Sequence, residues 1–345
     1  MNKIIKEDIA GIISRFDHWE KFRNKAVLIS GANGFLPAYL VETLLSLDKS
    51  FNIRVIALVR NKKKAEKRFA HWLNNAHLHI IEHDVCNEFS YSDNIDFIIH
   101  AASQASPKYY GTDPVGTLNA NVLGTINLMK LAKEKNVESF LYFSSGEVYG
   151  QVKAEDIPIK EDTFGYLNCA NVRACYGESK RMSENICVSY FHQFAIKAKI
   201  VRPFHTYGPG MALNDGRVFA DFVSNIVNKQ NIKLNSDGSA IRPFCYLTDA
   251  TLGFLTVLIC GENGEPYNIG NPNEEFSILE LANTLVKLYP ELRLEVIMNN
   301  IVENNSYLKS PIQRNSPNID KVKKLNWHPI VTVKEGFKRT IESFK

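Results

Sequence analysis

The chain has 345 residues, 45% of them hydrophobic and 23% charged, with a formal net charge of +4 at neutral pH. That length suits one large domain or two lobes sharing a core, and so mild a charge, with no basic block longer than the three lysines at 62–64, does not point to nucleic acid. No apolar run approaches the roughly 18 residues a membrane span needs, the charged start "MNKIIKEDIAGIISRF" does not read as a signal peptide, and the six cysteines form no C-x-x-C pair. The reading is reduced thiols in a cytoplasmic protein, with neither a disulfide framework nor a metal site.

Residues 4–22 predict an amphipathic helix ahead of the main domain. "KAVLIS" (25–30) then reads as a buried strand, "YLVETLLSL" (39–47) as a helix, and "IRVIALV" (53–59) and "LHIIEHDV" (78–85) as further strands. "IDFIIHAAS" (95–103) is a fourth strand, followed by a helix over 114–135. "SFLYFSS" (139–145) is a fifth, a long helix spans 176–194, and "AKIVRPF" (198–204) is a sixth. Continuous apolar strands alternating with helices predict an α/β fold: a doubly wound parallel Rossmann sheet covered on both faces, with ligands at the strands' carboxyl ends. After Phe204 turns, short helices and isolated strands take over, and "DATLGFLTVLIC" (249–260) reads as a helix returning to the first lobe. The expected organisation is an N-terminal helical extension (1–24), a dinucleotide-binding Rossmann domain (25–201 with 246–270), and a smaller mixed α/β substrate lobe (202–245 with 271–345).

In "SGANGFLP" the spacing of Gly31 and Gly34 permits a tight turn and close backbone approach to a pyrophosphate, with phosphate donors from Asn33, Gly34, Phe35 and Leu36. Where a third small residue belongs there is Pro37, in the first helical turn, where a missing N–H costs little. Asp84 is placed to accept a hydrogen bond from an adenine amino group, and Ala101, Ala102 and Ser103 leave room for a flat cofactor. After the second strand an acid would bind the ribose of NAD, but this chain has Val59 and Arg60, and arginine there can pair with the 2′-phosphate of NADP. NAD is the expected cofactor, with NADP admitted by Arg60.

"SSGEVYG" (144–150) ends the fifth strand and "YGESK" (176–180) opens the next long helix. Tyr176 and Lys180, four apart, share a helical face. The ammonium of Lys180 can lower the phenol's pKa and hold the nicotinamide ribose, while Ser145 hydrogen-bonds the same substrate hydroxyl. Such a set lets a tyrosinate remove a proton as hydride leaves the adjacent carbon.

With these motifs, and with "ASQASPKYYGTDPVGTLNANVLGTINLM", "VRACYGESKRMSE", "FHTYGPGMALNDGRVFADF", "IRPFCYLTDA" and "YNIGNPNE", the chain resembles the extended short-chain dehydrogenase/reductases of the nucleotide-sugar epimerase/dehydratase family. The resemblance spans about residues 25–343, and within the family it is greatest to the UDP-glucuronate decarboxylases. It implies a catalytic set of Ser145, Tyr176 and Lys180 with Glu147 as the carboxylate, adds Val85 and Asn121 to the cofactor-binding residues, and places Arg217, Arg242 and Arg314 on a nucleotide diphosphate or sugar. It further implies a homodimer through the helices near 115–135 and 176–194.

Relatives begin by oxidising a sugar C4 hydroxyl and then diverge. Glu147 speaks against a plain 4-epimerase, which needs no carboxylate in that turn. A 4,6-dehydratase of the dTDP-glucose type would carry an aspartate where this chain has Gly146. A decarboxylase needs less, because a C5 carboxylate beside a C4 ketone is a β-keto acid. Glu147 would assist at C5, and Arg242 or Tyr110 would orient the carboxylate. Gly146 stands where decarboxylases have serine, and His205 stands on the substrate side where "F-N-x-Y-G-P" would have asparagine, so another nucleotide-linked sugar or polyol is an alternative substrate. A different class, a catalytically inactive NAD-binding subunit, would need no tyrosine–lysine pair.

Overall fold

A computed structural model of the chain describes residues 1–298 and 312–345. The six apolar runs form strands β1 (Ala26–Ser30), β2 (Arg54–Val59), β3 (Leu78–Glu82), β4 (Phe97–His100), β5 (Ser139–Phe143) and β6 (Ala198–Pro203), joined by β7 (Pro266–Ile269). All seven run parallel in the order β7-β6-β5-β4-β1-β2-β3. Apolar clusters cover both faces of the sheet, which is why β1, β4 and β5 are buried along their whole length. The strand order reverses between β1 and β4, and this opens the crevice in which ligands of such sheets sit.

The principal helices are α1 (Lys3–Arg15), α2 (Phe35–Ser46), α3 (Pro114–Lys135), α4 (Ala174–Phe194), α5 (Leu247–Cys260) and α6 (Val333–Glu342). The N-terminal helix ends at Arg15, short of the expected residue 22, because Phe16 turns extended and a single 3-10 turn over Trp19–Phe22 follows. That break drives Phe16, Trp19 and Phe22 into the core, with Phe22 against Phe97 of β4 at 5.2 Å between rings. The buried carboxylate of Asp8 on α1 accepts hydrogen bonds from Tyr39 Oη (3.0 Å) on α2, Tyr246 Oη (2.7 Å), and Nε and Nη2 of Arg339 (2.9 and 2.7 Å) on α6. The first helix therefore ties the glycine-loop helix to the remainder of the chain. Helices α3 and α4 pack side by side through Asn121 Nδ2, which donates to Ser179 Oγ at 2.9 Å, and Ser183 Oγ, which donates to the Asn121 carbonyl at 2.9 Å.

A separate apolar cluster forms around Tyr207, Phe244 and Phe337, with the Tyr207 and Phe337 rings stacked at 3.9 Å. The helices Val218–Val227, Ile278–Lys287 and α6 each bury one face in it. Ser277 and Glu280 form a reciprocal capping box at the start of the second of these.

Candidate active site

Gly31, at the end of β1, has φ +64°, and a Cβ there would lie 2.7 Å from the Ala102 Cα. The turn closes with Gly34 N–H donating to the Gly31 carbonyl at 2.7 Å, and α2 begins at Phe35 with no side chain capping it. The uncapped N–H groups of the first turn are thus free to meet an anion. Pro37 is the third helical residue, and the first intrahelical bond belongs to Ala38 N–H, which donates to the Gly34 carbonyl at 3.2 Å. Pro37 therefore costs the helix no hydrogen bond, and its ring packs over Gly34, with Cγ 3.3 Å from where a Cβ on Gly34 would stand.

Ser30 Oγ receives the backbone N–H groups of Ala101 and Ala102, each at 3.2 Å, which holds the small-residue segment against the glycine turn. Asp84 follows β3. Burial pushes its carboxyl up, but the Cys86 N–H at 2.9 Å and the charge of Arg60 outweigh this and hold it below the usual carboxylate range. Val85 beside it is buried, while Arg60 is exposed at the end of β2. The residues fit a dinucleotide. Gly31 lets the Ala101–Ala102 backbone close on the turn, and Ser103 Oγ, Ser144 Oγ and Asn121 Oδ1 are buried without a hydrogen-bond partner among the described residues.

At the carboxyl end of β5, Ser145 is the extended residue before a 3-10 turn over Gly146–Tyr149, and its Oγ accepts the Glu147 N–H at 3.2 Å. Tyr176 and Lys180, both buried, face it from α4. Burial pushes the Tyr176 phenol up to about 12, with the Ser145 hydroxyl pulling it down, Glu147 pushing it up and Arg217 pulling it down. Lys180, on the same helical face, lies beside the phenol. Its ammonium stands 5.7 Å from the Tyr176 ring centre and donates to the Phe143 carbonyl at 2.6 Å, and burial lowers its own pKa to about 7. In the protein alone, Tyr176 is therefore protonated at neutral pH.

The Tyr110 ring stacks on Tyr176 with centres 5.0 Å apart and planes 16° from parallel, and its hydroxyl donates to the Ala105 carbonyl at 3.0 Å. Arg173, one turn ahead of Tyr176, forms an ion pair with Glu147 (Nη1 to Oε2, 3.3 Å) and lies 6.0 Å from the Tyr110 ring centre. Sequence spacing gave no signal for Arg173, since a single arginine beside a helix start has no periodicity to mark it. The carbons of the Phe204 ring fill the side-chain space at Gly146, where a Cβ would fall 2.9 Å from Cε1. Any side chain at this position, the serine of the decarboxylases as much as the aspartate of a dTDP-glucose-type dehydratase, requires the Phe204 ring to shift.

His205, which follows Phe204, has φ +21°, and its Nδ1 is enclosed with no hydrogen-bond partner among the described residues. Burial, then the charges of Arg242 and Arg217, push its imidazole well below the usual range, so it is neutral. Arg217 pairs with Asp215 at 2.9 Å, and its charge reaches both Tyr176 and Tyr110. Arg242 donates to the carbonyls of Ile241, Gln313 and Ile312 at 2.8–2.9 Å. Arg314 turns to Glu275 in a two-bond pair at 3.1 and 2.6 Å. The structure thus groups Ser145, Glu147, Tyr176, Lys180 and Tyr110, with the charge of Arg217 reaching the two tyrosines, sets His205 near Arg217, Arg242 and Phe244, and engages Arg242 and Arg314 mainly with protein groups.

A parallel nucleotide-binding sheet with a serine–tyrosine–lysine set at its carboxyl edge defines a dinucleotide-dependent enzyme that works on a hydroxyl-bearing carbon. The chain belongs to the NAD dependent epimerase/dehydratase family, whose pattern matches residues 27–270. It is 33% identical over 324 residues to UDP-glucuronic acid decarboxylase 3 of Arabidopsis thaliana, covering 93% of this chain and 90% of that one. UDP-glucuronic acid decarboxylase 1 of Danio rerio is likewise 33% identical over 322 residues, covering 93% of this chain and 72% of the relative. Its fold matches the epimerase Mth375 of Methanothermobacter thermautotrophicus (TM-score 0.82, 21% identity, 95% of this chain and 94% of that one). It also matches the UDP-glucuronic acid 4-epimerase of Bacillus cereus crystallised with UDP-glucuronic acid and NAD (TM-score 0.75, 21% identity, 92% and 98%).

Proposed function

We propose that the protein decarboxylates a UDP-linked hexuronic acid, UDP-glucuronate, through a transient C4 ketone. The observation that carries this reading is the Glu147–Arg173 pair beside Tyr176 and Tyr110, which sets a carboxylate and a cation next to the proton-transfer tyrosine. NAD, which the glycine turn, the first turn of α2 and Lys180 would hold, would supply a reversible hydride acceptor for C4. Tyr176 Oη takes the C4 hydroxyl proton and gives it back on re-reduction, with Ser145 Oγ holding the same oxygen. Tyr176 must reach the phenolate to act, and a cation entering beside it, like the Arg217 already there, favours that form. Arg173 meets the C5 carboxylate, and once C4 is a ketone that carboxylate leaves as carbon dioxide. Glu147 then delivers a proton to C5, so one proton is consumed for each carbon dioxide released.

The relatives' activity and the fold's NAD-bound neighbours support this reading, and His205 in the enclosed wall favours a substrate pocket with its own sugar preference. No described helix is long and apolar enough to cross a membrane. Six free thiols fit a reducing cytoplasm. Val115, Leu118 and Leu123 on α3 and Met182 and Val188 on α4 are exposed apolar side chains on the two helices proposed to form a homodimer, and a monomer by light scattering would overturn that part. The reaction is tested by incubation with UDP-glucuronate, dTDP-glucose and UDP-glucose under mass detection. Loss of carbon dioxide from UDP-glucuronate is expected. Loss of water, or a new sugar of unchanged mass, would replace this reading with dehydration or epimerisation, and no turnover on any of them would favour a binding subunit.

A further inference from the structure

We infer that the adenosine end of the dinucleotide site is built for a 2′-phosphorylated ribose, so that the protein binds NADP no more weakly than NAD. The inference rests on the dinucleotide site described above. The Leu58 carbonyl near the end of β2 accepts the N–H groups of Gly31 (2.8 Å) and Ala32 (3.4 Å), and the next carbonyl, Val59, accepts the His83 N–H at 2.9 Å. The residue after Val59 therefore stands between the glycine turn and the loop that carries Asp84. In folds of this type the adenosine ribose lies there, and an acid at that point holds its two hydroxyls.

Here that residue is Arg60, and the stretch Val59–Arg60–Asn61 contains no carboxylate. The neighbouring polar groups are already engaged. Glu82 accepts the Lys62 N–H at 2.6 Å, Asp84 accepts the Cys86 N–H, and the Asn61 side chain accepts the Lys64 N–H at 2.9 Å. Arg60 is exposed directly after β2, and its charge helps lower the carboxyls of Asp84 and Asp113. Lys62, Lys63 and Lys64 follow directly, exposed like Arg60, and none of these four cations has an ion-pair partner among the described residues. A neutral ribose diol leaves such a group of charges unanswered. A phosphate dianion answers it with charge-assisted hydrogen bonds, and arginine matches phosphate geometry in two-bond fashion. The carboxylate that would repel that phosphate is missing from the position where it excludes NADP.

The test is calorimetric titration of the cofactor-stripped full chain with NAD+ and NADP+ at one fixed salt concentration, repeated with Arg60→Ala. NADP+ is expected to bind as tightly as NAD+ or tighter. Arg60→Ala is expected to weaken NADP+ about tenfold, the order of one charge-assisted hydrogen bond, and to leave NAD+ nearly unchanged. Retained NAD+ binding shows that the variant is folded. Weaker binding of NADP+ than of NAD+ by the unaltered protein, or an equal loss of both on Arg60→Ala, overturns the inference. Failure to bind either dinucleotide would overturn the dinucleotide site itself. Titration with 2′,5′-ADP against 5′-ADP isolates the same contrast at the adenosine end, and equal binding of the two would count against the inference.

Discussion

Replacing Glu147 by glutamine separates the two halves of the proposed chemistry. Glutamine keeps the shape and an oxygen for Arg173, and the Ser145 contact is to the Glu147 backbone, so the turn is undisturbed. The ion pair spans 3.3 Å with side chains 17% and 27% exposed, and such a partly solvated pair contributes about 1 kcal/mol or less. The fold should therefore survive, and any large loss of rate is chemical. An amide cannot deliver a proton to C5, and loss of a positioned general acid costs about 10²–10⁴-fold in kcat, or ~3–5 kcal/mol of barrier. The assay follows carbon dioxide release and nicotinamide absorbance together with UDP-glucuronate as substrate. Release should fall by that factor while reduced cofactor accumulates, because oxidation at C4 needs only Tyr176, Lys180 and Ser145. Decarboxylated product formed at the unaltered rate would refute the role of Glu147.

Tyr176→Phe should abolish turnover and leave dinucleotide binding intact by titration, and a near-fully active variant would contradict the proton path. Gly146→Asp should destabilise the protein by about 1–3 kcal/mol in urea, since Phe204 must move, and should not introduce loss of water. An unchanged midpoint, or a dehydrated product, would show that the space is not closed. Burial depresses Lys180 to about 7 and Lys199 to about 8, against 10.5 for a free lysine. Below those values both folded and unfolded chains hold the protons and the burial penalty is complete. Above them the unfolded chain binds more, so stability of the cofactor-free protein should rise with pH up to about 10.5. Lys180→Met and Lys199→Met should each flatten that rise in denaturation midpoints, and an unaltered slope in both would contradict it. Asp8→Ala strands two tyrosine hydroxyls and a partly exposed Arg339, for an expected loss of about 2–4 kcal/mol in urea denaturation. A midpoint equal to that of the unaltered chain would show that α1 does not bind the rest of the chain through this carboxylate.

The strands β1 to β6 were legible because each is a continuous apolar run bounded by turn residues, the mark of a strand buried on both faces. Their ends were less so: β3 stops at Glu82 and β4 at His100, leaving Asp84 and Ala101–Ser103 in the loops that form the site. The seventh strand escaped because "PYNI" is short and carries Asn268. That asparagine is buried only because Tyr149 Oη donates to it (2.6 Å) and its own amide reaches the Ile159 and Asn318 carbonyls, partners distant in sequence. The same holds for Lys199 and Arg202 within β6, made tolerable by Ser139 and by a Glu184 pair at 2.6 Å. In the site, the Tyr176–Lys180 spacing and the glycine turn were visible in the sequence. The Glu147–Arg173 pair and the Phe204 ring over Gly146 were not, since both join segments whose meeting only the fold determines.

Turnover of UDP-glucuronate in deuterium oxide follows the loss of the C5 carboxylate through an internally recycled C4 ketone atom by atom. A UDP-pentose carrying one deuterium at C5, delivered through Glu147, with the original hydrogen kept at C4, is expected. A product that retains its carboxylate, or deuterium found at C4, would contradict it.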